Sequence, residues 1–197
     1  MKFSKTDYTI LKYGNMCILI YGILGLLGFA IFAGFWPPPQ EYLTAEQLGQ
    51  YYRENSISIR IGMVFMLNAT PFYLVWGLVF QKVIDRIGDG THFLGRVQLA
   101  GAITATIVLT VPAAMWIVGA FRPEVRTDAE IQLMYDLGWM LFDLPFLFFG
   151  VQYIAAGIAI LLDKREKPLF PRWLAWLGFF DTFTFVAVIM VPFVHDG

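Results

Sequence analysis

Asp143 stands in the stretch GWMLFDLPFLFFG, residues 138–150, where it is the only charged residue. A carboxylate in such surroundings can hold a proton, a cation or the polar end of a ligand. Pro145 lies two residues on. A proline inside a helix lacks an N–H and frees the carbonyl four residues earlier, here that of Leu141. Trp139, one turn before Asp143, adds an indole N–H and an aromatic face.

The same device occurs earlier. Residues 66–72 read MLNATPF and residues 140–146 read MLFDLPF, so both follow M-L-x-x-x-P-F. Asn68 corresponds in depth to Asp143, each about 10 Å inside one end of an apolar block at 1.5 Å per residue. Pro71 would free the carbonyl of Leu67. Facing each other, Asn68 and Asp143 would line a small polar pocket. Two readings of Asp143 stand side by side: it serves helix packing, or it binds a cation, a proton or a polar ligand group, as intramembrane ionisable residues often do.

A second carboxylate, Asp181, lies in GFFDTFTF. It falls about 12 Å from the other end of its block. Gln152 falls at a similar depth, so a Gln152–Asp181 hydrogen bond is expected.

These residues must be positioned by membrane helices. The chain has 197 residues, is 58% hydrophobic and only 15% charged, against about 25% charged in soluble domains. Its mean hydropathy is +0.63. Five blocks are long enough to cross a bilayer, which takes about 20 apolar residues: residues 14–36, 61–80, 97–121, 137–162 and 173–194. The reading is an all-α polytopic transmembrane bundle, a single helical domain over residues 1–197 with five spans, or six in a longer chain. Pro37-Pro38-Pro39 is expected to end the first span.

Ten lysines and arginines (Lys2, Lys5, Lys12, Lys82, Arg86, Arg96, Lys164, Arg165, Lys167 and Arg172) fall on one side of these spans. Four (Arg53, Arg60, Arg122 and Arg126) fall on the other. The positive-inside rule then puts the N-terminus in the cytoplasm. The outer loops are acidic, with Glu41, Glu46, Glu54, Glu124, Asp128, Glu130 and Asp136. Thr44-Ala45-Glu46-Gln47 and Thr127-Asp128-Ala129-Glu130 each fit a capping box. With the M-L-x-x-x-P-F motifs they suggest a parallel repeat in which spans two and three match spans four and five. Residues 44–55 are expected as a short helix on the outer surface, with Leu43, Leu48, Tyr51 and Tyr52 toward membrane or protein. Gly22, Gly25, Gly28, Ala30 and Gly34 form a small-residue face suited to close helix packing.

Several chemistries are excluded. A formal net charge of −1 gives no basic face for nucleic acid. One cysteine, Cys17, makes neither an internal disulfide nor a thiolate metal site. The only histidines, His92 and His195, lie outside the spans, so haem and di-iron ligand sets are missing. There is no P-loop and no G-x-G-x-x-G. No cofactor is expected.

The run PPPQEYLTAEQLGQYYRENSISIRIGMVFML, in the first half of the chain, resembles a pattern of uncharacterised small polytopic bacterial membrane proteins. In these a first helix is followed by a proline-rich turn, a short surface helix and then R-x-G-M. The resemblance implies an all-helical inner-membrane protein with six spans, of which the last would be missing here.

The expectation is therefore a non-catalytic integral protein of the bacterial inner (plasma) membrane. It would be an accessory or scaffold subunit, or a binder of a lipid-like ligand between aromatic-rich helices, with Phe142, Phe146, Phe148, Phe149 and Trp139 as candidate lining. Its partners would be membrane lipids, with protein partners in a membrane complex or a homo-oligomer. The alternatives are a small ion-coupled transporter with Asp143, Asn68 and Asp181 on the path, and an intramembrane enzyme using Asp143 as acid or base.

Overall fold

The computed structural model describes residues 5–39 and 42–193. Lys2, Glu41, Val194 and His195 lie outside them. Every regular element among the described residues is helical. Five helices are long and apolar enough to cross a membrane: Tyr8–Phe32, Ala45–Ile84, His92–Ala120, Asp128–Leu162 and Arg172–Phe193.

Helix α1 (Lys5–Gly25) continues as a π-helical segment, Leu26–Phe32. It stops before the prolines expected to end it. Gly34 takes a left-handed backbone, φ 66°, and the N–H groups of Ala33 and Phe35 turn back to the carbonyls of Gly28 and Phe29, each at 3.0 Å. A left-handed glycine closes a helix without the steric cost a Cβ would carry.

Helix α2 (Ala45–Ile84) has 40 residues. Its start is the expected capping box: the Gln47 N–H donates to Thr44 Oγ1 at 3.3 Å and the Thr44 N–H to Gln47 Oε1 at 2.9 Å. Residues 44–55 are thus not a separate surface helix. From Asn55 to Ile61 the chain reads NSISIRI, with no glycine or proline to break it, so the capped turns run straight into the span. At 1.5 Å per residue α2 is about 60 Å long, twice a hydrocarbon core of about 30 Å. The carbonyl of Leu67, which Pro71 frees, accepts the Thr70 hydroxyl at 2.9 Å. Thr70 in turn accepts from Thr110 at 3.2 Å.

Helix α3 is His92–Ala120 and helix α4 is Asp128–Asp143. The second capping box, Thr127 with Glu130, is also formed. A single turn at Leu144–Phe146, with Pro145 at ψ 17°, separates α4 from α5 (Leu147–Leu162). Helix α6 (Arg172–Thr184) ends in a tighter 3-10 segment, Phe185–Phe193.

The described chain groups into two compact units, each discontinuous in sequence. The first holds Met1–Leu19, Pro71–Thr106 and Phe146–Ala187; the second holds Ile20–Thr70, Ile107–Pro145 and Val188–Gly197. In α2 and between α4 and α5 the division falls at Pro71 and Pro145.

Within the first unit, α5 and α6 pack along a seam of small residues. A Cβ on Gly150 would meet Thr182, and one on Gly157 would meet Phe179 and the Ala175 carbonyl. Small residues let membrane helices approach this closely. The loop from α5 to α6 is held by Asp163, whose carboxylate accepts from Arg165 Nε at 2.7 Å and the Leu169 N–H at 2.9 Å.

Within the second unit the core is aromatic. Phe35, Tyr52 and Trp116 are fully buried. Trp116 contacts Phe29, Phe35, Trp139 and Phe142, with room made by Gly138 beside its ring. Leu48 and Tyr52 therefore face protein rather than membrane. Of the glycines of the small-residue face, Gly28 lies close against the carbonyl of Gly62 and Gly34 against the Tyr51 hydroxyl, whereas Gly22 faces open space.

Candidate functional site

In the first unit a cavity of about 370 Å³ opens between α5, α6 and the end of α2. Trp76, Phe80, Tyr153, Gly157, Gly178 and Asp181 line it together with aliphatic residues. Helix geometry explains the void. Gly157 and Gly178 bring the two helices close on one side of it, Gly157 against Phe179 and the Ala175 carbonyl and Gly178 against Tyr153, and the rings of Trp76 and Phe80 bound it on the α2 side. Trp76 and Phe80 are one turn apart on α2 and stack at 5.1 Å, 15° between planes. Asp181 is half-buried. No lysine, arginine or histidine lines the cavity.

Gln152 does not join Asp181. It is fully buried, and its Oε1 accepts the Tyr73 hydroxyl at 2.7 Å. Consecutive residues on a helix point about 100° apart. Tyr153 faces Gly178 of α6, while Gln152 packs against Gly101 of α3. Similar depth did not mean the same face. Gln152 Nε2 has no partner, and neither amide atom of buried Gln98 has one.

Asp143 lines a cavity in the second unit, also of about 370 Å³. Gln132, Tyr135, Asp136, Trp139 and Asp143 supply one wall from a single face of α4, at helical spacings of three, four, seven and eleven residues. Pro38, Pro39 and Pro192 lie opposite. The Tyr135 hydroxyl donates to the Pro39 carbonyl at 2.7 Å. Asp136 and Asp143 are seven residues apart, about 10 Å along the helix, too far to share one small ion.

Asn68 does not line this cavity. It is exposed, and its Nδ2 donates to the Val64 carbonyl at 2.8 Å, a backbone bond that turns a polar side chain onto its own helix. The expected Asn68–Asp143 pocket is thus half present. Of the phenylalanines proposed as a lining, Phe142 joins the aromatic core, Phe146 stacks on Phe185, Phe149 meets the edge of Tyr73, and Phe148 is exposed.

Outside the spans, Asp163 is buried. The Arg165 guanidinium and the N–H groups of Leu169 and Arg165 hold its carboxyl down at about 2. Among the described residues no three His, Cys, Asp or Glu side chains group as metal ligands.

Sequence reasoning missed the partners of Asp181. The available signal was glycine on two consecutive apolar blocks, Gly157 and Gly178, with aromatic residues nearby. Asp136 was read only as a loop charge, because α4 was expected to begin nearer residue 137.

Comparison with protein-family models, with curated proteins and with solved structures finds no match to this chain.

Proposed function

We propose that this is a non-catalytic integral protein of the bacterial inner membrane that binds a lipid-like ligand in the cavity between α5 and α6. One observation carries the reading. An otherwise apolar cavity, with a single carboxylate, is built from helices long and apolar enough to lie in a bilayer. Ligand sites are concave, mostly apolar and carry few polar groups that fix orientation. The ten-to-four lysine and arginine bias supports a cytoplasmic N-terminus. The two capping boxes and two M-L-x-x-x-P-F motifs support a parallel helix-pair repeat.

Native mass spectrometry of protein extracted gently from its membrane tests this. The wild type should carry a bound amphiphile that is lost in Leu174→Trp, which enlarges a side chain of the cavity wall. Equal retention by the variant, or a bare wild type, would refute the site.

A second reading, an ion-coupled transporter, is favoured by one observation: Asp143 and Asp136 line a separate cavity. Proton- or ion-dependent flux in proteoliposomes, lost in Asp143→Asn, would support it.

A further inference from the structure

We propose that the ligand of the α5–α6 cavity is a lipophilic organic cation, its charged centre held at Asp181 within a wall of Trp76, Phe80 and Tyr153. The proposal rests on the binder reading above and names the ligand class of that same site.

The argument is one of complementarity. Asp181 stands nine residues into its span, about 14 Å at 1.5 Å per residue. Charge at that depth is costly, so a cation and the carboxylate that binds it would each offset the other's burial. Among the described residues no cationic side chain lines the cavity wall, so the cation would come with the ligand. The remaining wall selects what kind of cation enters. Trp76 and Phe80 stack on each other beside the void, and Tyr153 borders it. Aromatic faces attract cations, best when the cation is poorly hydrated. A calcium or magnesium ion would ask for six or more oxygen ligands, whereas one carboxylate and apolar groups suit an alkyl- or aryl-substituted ammonium or phosphonium. The volume of about 370 Å³ falls within the range of small-molecule pockets. Asp181 also disfavours anionic amphiphiles, since like charges repel in a low-dielectric site.

The test uses two probes of the same shape and opposite charge, tetraphenylphosphonium and tetraphenylborate. Equilibrium dialysis against the full chain in neutral detergent micelles measures binding. Specific binding is the part lost in two cavity-filling variants, Leu177→Trp and Leu174→Trp, both at lining side chains. The expected result is specific phosphonium binding at least about tenfold tighter than borate binding. In Asp181→Asn the two should converge to within about threefold. If borate binds specifically as well as phosphonium, or if the preference survives in Asp181→Asn, the cation inference falls and the lipid-like reading stands. If neither probe shows any binding sensitive to both filling variants, the cavity is not a ligand site and the lipid-like reading falls with it.

Discussion

The Tyr73 hydroxyl of α2 donates to Oε1 of Gln152 on α5 at 2.7 Å, and both side chains are buried. This bond occupies the glutamine that depth alone had paired with Asp181, and it leaves the carboxylate to the cavity. Tyr73→Phe would strand a buried amide oxygen, a loss of about 1–3 kcal/mol. Thermal unfolding in micelles should show the drop, while ligand binding at the α5–α6 cavity should persist. Unchanged stability would mean the bond carries no weight.

The glycines of the first two helices are not equivalent. A Cβ at Gly62 would collide with the Gly28 carbonyl, a backbone atom that cannot swing aside. Gly62→Ala should therefore destabilise by about 1–3 kcal/mol or more, as overpacking does. Gly22 meets nothing within 4 Å, so Gly22→Ala should be neutral or stabilise by up to about 1 kcal/mol through helix propensity. Side-by-side melting curves check both. Equal effects would contradict the packing described.

The loop between α5 and α6 should be acid-sensitive. The Asp163 carboxyl is lowered from 3.8 to about 2 by Arg165 and the Leu169 N–H. A depressed carboxyl contributes stability above its unfolded value. That contribution is lost as pH falls from about 4 through 2. Asp163→Asn should lower stability at neutral pH and flatten the dependence between pH 4 and 2. Identical acid-unfolding profiles for variant and wild type would refute this.

Asp143→Asn should fold with stability within about 1 kcal/mol of wild type, because the residue is half-buried at a cavity wall rather than in the core. If the transporter reading is right, ion-linked flux in proteoliposomes falls in this variant. If flux exists and the variant leaves it untouched, Asp143 is not on the path.

Much of this architecture was legible along the chain and little of it around each helix. The apolar blocks gave five membrane-length helices, and both threonine caps formed as their spacing predicted. Helix extents were misjudged where polar residues continue a helix past the apolar block, as in residues 45–60 of α2 and 128–136 of α4. Hydropathy marks the membrane, not the end of the hydrogen-bonded ladder. The first helix ended at a left-handed glycine rather than at the more conspicuous prolines. Gln152 and Asp181 show the deeper limit. Residue counting fixes depth, but the face each presents depends on which neighbour packs against it. That choice was made by glycines at 101, 157 and 178. Asn68 failed for a related reason: its own helix offered it a carbonyl four residues back.

The most direct test of the central claim is photolabelling in native membranes with a diazirine-bearing alkyl ammonium probe, followed by peptide mapping. The account predicts saturable adducts at cavity residues, chiefly Trp76, Tyr153, Leu177 and Gly178, that disappear in Leu174→Trp. Adducts spread over exposed positions such as Ile23, Trp173 and Phe183, with none enriched at the cavity, would contradict it.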